Sequence, residues 1–183
     1  KDMEDDGKTA NNNEVIYVRD SGSAVINGGT FIGNTSNKTY GAGFTLNLKD
    51  ADRATASIVV KGGTFTGFNP ANNAAENAGT NFVAEGYKSV YNEADNTYTV
   101  VAYDANNVVN EKELRYFIAN GTDVKLGADI DLVTGIEVAK KVTVNLNGKT
   151  LSSKKDTEGN GIFMVVTGGD LTIEGDGKID SAC

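Results

Sequence analysis

The chain has no histidine and no tryptophan, and only one cysteine, one proline and two methionines in 183 residues. Lacking histidine, it lacks the commonest general base and the commonest zinc ligand. Cys183 has no partner for an intrachain disulfide, so the fold does not depend on one. No apolar run approaches the length of a membrane span, and membrane insertion is not expected. Positive charge is also short. Lysine and arginine total 17 against 25 acidic residues, giving a formal charge of −8 and a pI near 4.6. The scattered basic residues argue against a phosphate-binding patch and hence against nucleic acid. The acidity suits solubility in a crowded exterior. No motif calls for a cofactor, and none is expected. The chain starts at Lys1, without an initiator methionine or a secretory pattern, so a processed, tagged or excised fragment is expected.

What is present is repetition. Val25-Ile26-Asn27-Gly28-Gly29-Thr30-Phe31-Ile32-Gly33 returns as Val59-Val60-Lys61-Gly62-Gly63-Thr64-Phe65-Thr66-Gly67, 34 residues later. A β-branched run, a glycine turn and a second short strand at that period predict stacked coils, each burying its apolar face against its neighbours. Weaker copies follow in Val142–Leu151 and Leu171–Ile179, whose glycines Gly148 and Gly175 are 27 residues apart. Apolar and polar residues alternate before each turn, the period of a strand with one buried face. An ordinary β-sandwich with several glycine turns is the alternative.

At this length one domain, 1–183, is expected. Its parts are coils over 1–80, a closing hairpin over 81–103, a helix over 110–120 and further coils over 124–183. Within the first part, 1–13 reads as a polar loop, Val15–Val18 and Phe44–Leu48 as strands, and 69–80 as a small-residue loop holding Pro70. Val90-Tyr91 and Tyr98–Val101 flank a turn and read as the hairpin. Asn110 with Glu113 three residues on forms a capping box. Leu114, Phe117 and Ile118 make an apolar stripe, and Asn120-Gly121 stops the helix. Ten residues are too few for a stable helix without a surface, so this one is expected to cover exposed strands.

The order is unusual. Reading 110–183 before 1–102 gives helix, coils, loop and hairpin in sequence, and it sets Ile173 ahead of Ile26 by 36 residues. The chain therefore reads as circularly permuted, cut from a tandem array, or one unit of a head-to-tail assembly.

These repeats resemble the right-handed parallel β-helix (β-solenoid) of the pectin-lyase-like superfamily. The Gly-Gly-Thr-Phe phrases, Val144–Leu151, and Asn81–Lys88 with its following strand resemble β-helical modules of gut-bacterial surface proteins and of phages that infect them. That resemblance implies an all-β fold with one short capping helix and a terminal hairpin. It also implies a non-catalytic role in a phage virion, as head fibre, capsid decoration or tail, or in a bacterial surface adhesin. The implied partners are further copies of the chain, other virion or surface proteins, and host glycans. The implied location is the virion or the cell surface.

Chemistry-bearing residues are few. Asp129 and Asp131 share one strand face and are the candidate metal ligands or catalytic acids, with Glu4-Asp5-Asp6 a second acidic group. Two carboxylates fall short of the six to eight oxygens calcium takes, and a solvated strand face is the simpler reading. Arg19, Arg53 and Arg115 are the only arginines a lyase could use. Asn27, Asn145 and Asn147 flank the glycine turns and are expected to share amide hydrogen bonds between coils. Phe31 and Phe65 are expected to stack in the core. Gly28, Gly29, Gly62, Gly63 and Gly148 are read as structural repeat positions. Asn34-Thr35-Ser36, Asn37-Lys38-Thr39 and Asn120-Gly121-Thr122 match the glycosylation triplet. Tyr40, Tyr91 and Tyr103 are candidate sugar contacts, and the loops 34–43 and 49–54 are candidates for presentation to a host surface.

Overall fold

The computed structural model describes residues 14–33, 44–153 and 161–181, and the chain divides into two compact units, Lys1–Ala102 and Tyr103–Cys183. Each unit has its own apolar core.

The first unit is built on paired strands. β1 (Ile16–Val18) and β2 (Ser23–Ile32) are followed by β3 (Leu46–Leu48) and β4 (Ser57–Thr66). β3 lies parallel to β1, and β4 parallel to β2, with Ile26 beside Val60 and Phe31 beside Phe65. A hairpin of β5 (Tyr87–Asn92) and β6 (Thr97–Ala102) then adds to the other edge of β4 in the antiparallel sense. The resulting four-stranded sheet has the order β2-β4-β6-β5. In the core of the unit Leu46 of β3 and Val60 and Phe65 of β4 are fully buried, with Ile58, Phe68, Phe82 and Val100 in the same cluster. Burying a side chain the size of Phe65 contributes about 1.5–3 kcal/mol.

The second unit begins with α1 (Glu111–Asn120), whose cap matches the sequence reading. The Asn110 side chain accepts from the Glu113 backbone N–H at 3.0 Å, and Asn110 Nδ2 donates to Glu113 Oε1 at 3.0 Å. Gly121, at φ 70°, takes the left-handed conformation that ends the helix. Short strands follow: β7 (Val124–Lys125), β8 (Ile130–Leu132) and β9 (Ile136–Val138), then β10 (Lys141–Asn145), β11 (Lys149–Ser153) and β12 (Phe163–Val165), then β13 (Asp170–Glu174) and β14 (Gly177–Ser181). They form three small parallel sheets, β13-β10-β7, β14-β11-β8 and β12-β9. The apolar stripe of α1 packs with β7, β8 and β9 around Leu126, Leu132, Val138 and Leu151.

The fold is mostly β with one α-helix among the described residues, as the sequence predicts. The right-handed parallel β-helix implied by the pectin-lyase-like resemblance is not. The strands fall into five separate small sheets, none of which closes or forms a solenoid. Two features explain the difference. Six of the strands (β1, β3, β7, β8, β9 and β12) have only two or three residues, too few for long continuous sheets. The Gly-Gly phrases, in turn, do not turn the chain. β2 and β4 run straight through Gly28-Gly29 and Gly62-Gly63 as ten-residue strands with a bulge, the pairing shifting register between Ile26 and Thr30. A bulge absorbs the extra residues inside the strand, so no coil corner forms there. The antiparallel hairpin then occupies the other edge of β4.

Candidate functional site

Asp129 and Asp131 occupy neighbouring exposed positions at β8, and each reaches the adjacent β11. Asp129 Oδ1 accepts from the Thr150 backbone N–H at 2.8 Å, and Asp131 Oδ1 accepts from Ser152 Oγ at 2.8 Å. Both carboxylates serve as cross-strand ties. Among the described residues, no group of three or more His, Cys, Asp or Glu side chains converges on a point where a metal could sit. Glu4, Asp5 and Asp6 lie outside the described residues, as does Cys183.

The arginines are likewise engaged. Arg115 pairs with Glu111 across one helical turn and donates to Gly135 O at 3.1 Å, to Thr134 O and to Thr134 Oγ1. Glu111 Oε2 accepts from the Val133 backbone N–H at 3.0 Å, so the Glu111–Arg115 pair fastens the 133–135 loop from both charges. Arg19 lies 3.6 Å from Asp20.

The asparagines also meet partners other than each other. Asn145 Nδ2 donates to Glu174 Oε1 at 3.1 Å, across the β10–β13 pair. Its Oδ1 accepts from the Asn147 N–H, and Asn147 Nδ2 donates to Leu126 O at 2.8 Å. The three bonds hold the Asn147-Gly148 turn between β10 and β11, with both residues at positive φ. Phe31 and Phe65 stack with ring centroids 4.8 Å apart, Phe65 fully buried and Phe31 half-buried.

The three tyrosines do not form one surface in the described residues. Tyr40 lies outside them. Tyr91 packs on Tyr98 with ring centroids 4.6 Å apart and the planes tilted by 33°, and it is exposed on the hairpin of the first unit. Tyr103 packs edge-on against Tyr116 and Phe117 in the core of the second. Of the glycosylation triplets, those at Asn34 and Asn37 lie outside the described residues, and Asn120 Nδ2 donates to Tyr116 O at the helix end.

One constellation in the first unit escapes sequence reading. Arg53 Nε donates to Glu76 Oε2 at 3.1 Å, Arg53 Nη2 donates to Asp50 Oδ1 at 2.6 Å and also to the Glu76 carbonyl. Glu76 Oε1 accepts from the Leu48 N–H at 2.8 Å. Desolvation acts to lower the Arg53 pKa, but hydrogen bonds and charge from Glu76 and Asp50 outweigh it and hold the guanidinium above its ordinary value. The partners are 23 residues apart, and no local pattern pairs them.

The clamp joins two loops. One is 49–54, with a short 3-10 turn at Asp50–Asp52, pinned further where Asp52 Oδ2 accepts from the Asp20 N–H. The other is 69–80, which has no helix or regular strand but is tightly bonded internally. Asn69 Oδ1 accepts from Ala71 N, Asn73 Oδ1 from Ala75 N, and Thr80 Oγ1 from the N–H groups of Glu76 and Asn77. Asn73 Nδ2 returns to the carbonyls of Asn69 and Thr80. Side chains that bond backbone two residues on fix a loop as a chain of small turns. Ala75 anchors it, fully buried, while Asn72, Ala74, Asn77 and Ala78 face solvent.

No helix among the described residues is long and apolar enough to cross a membrane. No family model matches the chain, and neither a curated protein nor a solved structure matches it.

Proposed function

We propose that the chain is a non-catalytic structural and attachment module of a virion or bacterial surface, whose first unit presents pinned polar loops to glycans or proteins of a host cell. The observation that carries this reading is the Arg53 clamp. It holds two exposed polar loops in one conformation before any partner arrives, and a pre-ordered loop loses less entropy on binding. The side chains that a glycan-cleaving enzyme would need support it as well, because Asp129, Asp131 and Arg115 are spent on neighbouring strands and loops. The formal charge of −8 suits an exterior setting.

Incubating the protein with acidic and neutral polysaccharides, with and without calcium, tests the non-catalytic half of the proposal. Retention on a glycan or host-cell surface array tests the other half. The expected result is retention without turnover, weakened in Arg53→Ala while the circular dichroism of the β-fold persists. Cleavage that disappears in Asp129→Asn or Asp131→Asn would make the chain a glycan-active enzyme instead.

A further inference from the structure

Asn-Gly is the dipeptide in which an asparagine side chain is most open to attack by its own backbone. Glycine has no β-carbon to shield its nitrogen, and the five-membered ring that forms keeps nucleophile and carbonyl carbon close together. The sequence has four such pairs: Asn27-Gly28, Asn120-Gly121, Asn147-Gly148 and Asn160-Gly161. Asn160 lies outside the described residues, and the other three stand in different surroundings.

Two of them are held at both reacting groups. Asn120 Nδ2 donates to Tyr116 O at 2.7 Å, and the Gly121 N–H donates to Ile118 O at 3.0 Å to close α1. Asn147 Nδ2 donates to Leu126 O at 2.8 Å, and the Gly148 N–H donates to Asp176 O. Swinging either side chain toward the next nitrogen breaks these bonds and takes apart a helix end or the β10–β11 turn.

Asn27 is placed otherwise. It is exposed on β2, and its side chain makes no hydrogen bond with any described residue. The β2–β4 pairing shifts register on both sides of it, and Gly28 and Gly29 have no partner opposite them in β4. Nothing lies within 4 Å of where a β-carbon on Gly28 would sit, so space there is open as well. A bulge leaves its extra residues unpaired, so their dihedral angles change at less cost to the ladder.

We infer that Asn27-Gly28 is a modification site, at which the chain deamidates itself with water as the only reagent. The Gly28 nitrogen gives its proton to hydroxide and attacks Asn27 Cγ. The bond from Cγ to the side-chain nitrogen then breaks, and ammonia leaves with a proton taken from water. A second water opens the cyclic imide at one of its two carbonyls, giving aspartate or isoaspartate. Either product puts a negative charge on β2, which carries none. Isoaspartate also lengthens the main chain by one methylene where the Asn27 carbonyl packs on Gly62, so β2 loosens from β4.

The test is peptide mapping by mass spectrometry of the full chain, aged in mildly alkaline heavy-oxygen water so that each new carboxylate is labelled. Asn27 should convert faster than Asn120 and Asn147 by on the order of tenfold, and in urea the three rates should converge. Gly28→Ala, for which β2 has room, should slow conversion at Asn27 by on the order of tenfold while circular dichroism stays unchanged. Aged wild type should unfold at lower urea than fresh protein, and Asn27→Gln aged in the same way should not. Conversion at Asn27 no faster than at Asn120 or Asn147 in the folded chain would overturn the site. So would a Gly28→Ala variant that converts as fast as wild type. An unchanged urea midpoint in converted protein would overturn the loosening of β2.

Discussion

Gly62-Gly63 in the first unit and Asn147-Gly148 in the second hold the same place in a strand–glycine–strand rhythm, yet the chain treats them differently. At Gly62-Gly63 it continues as one bulged strand, β4, flanked on both edges. At Asn147-Gly148 it turns, and β10 and β11 enter different sheets. The neighbours account for this. Gly62 lies so close to the Asn27 carbonyl of β2 that a side chain has no room, whereas Gly148, at φ 73°, has open space around its α-carbon. The first glycine is required by a close approach, the second by its own dihedral angle. One sequence rhythm can therefore be a packing feature in one place and a corner in another.

Substitutions should separate the two. Gly62→Ala is expected to cost the most, about 3 kcal/mol, because the atom it meets is backbone and the β2–β4 pair must part. Urea unfolding followed by circular dichroism would show it. Its repeat equivalent Gly28 has an ordinary φ and nothing within 4 Å of where an alanine methyl group would sit, so Gly28→Ala should stay within about 0.5 kcal/mol of wild type. Equal losses at the two positions would break the comparison.

In the second unit, Asn110→Ala removes the cap of α1 and should cost about 1 kcal/mol in the same measurement. Gly148→Ala should cost about 1 kcal/mol through its dihedral alone. Gly148→Asn should cost less, since asparagine tolerates the left-handed region.

The smallest change has the opposite sign. Among the described residues Thr45 Oγ1 is buried without a hydrogen-bond partner, so Thr45→Val should raise stability by up to about 1 kcal/mol. A loss there would mean that the hydroxyl is satisfied in solution.

Local features were legible in the sequence wherever the partners are local. The Asn110–Glu113 cap, the Leu114–Phe117–Ile118 stripe and the β5–β6 hairpin depend on residues within a turn or two of one another, and the structure has them. The Phe31–Phe65 stack follows from the repeat itself. Pairing between distant segments was not legible. Nothing in the β4 sequence says that its second half meets Tyr98 and Val100 in the antiparallel sense, which depends on the loop between them bringing the hairpin back. The Arg53–Glu76 clamp was hidden for the same reason, and Asp129 and Asp131 resembled a ligand pair only because their partners Thr150 and Ser152 lie 21 residues away.

The central claim is that β4 is one continuous bulged strand, parallel to β2 on one edge and antiparallel to β6 on the other. Nuclear Overhauser contacts in isotope-labelled protein test it most directly. The account predicts Phe31–Phe65 ring contacts and a parallel Ile26–Val60 pattern, together with an antiparallel Thr64–Thr99 pattern in the same chain. A turn at Gly62-Gly63, with Val60 and Phe65 in separate sheets and no Thr64–Thr99 contact, would contradict it.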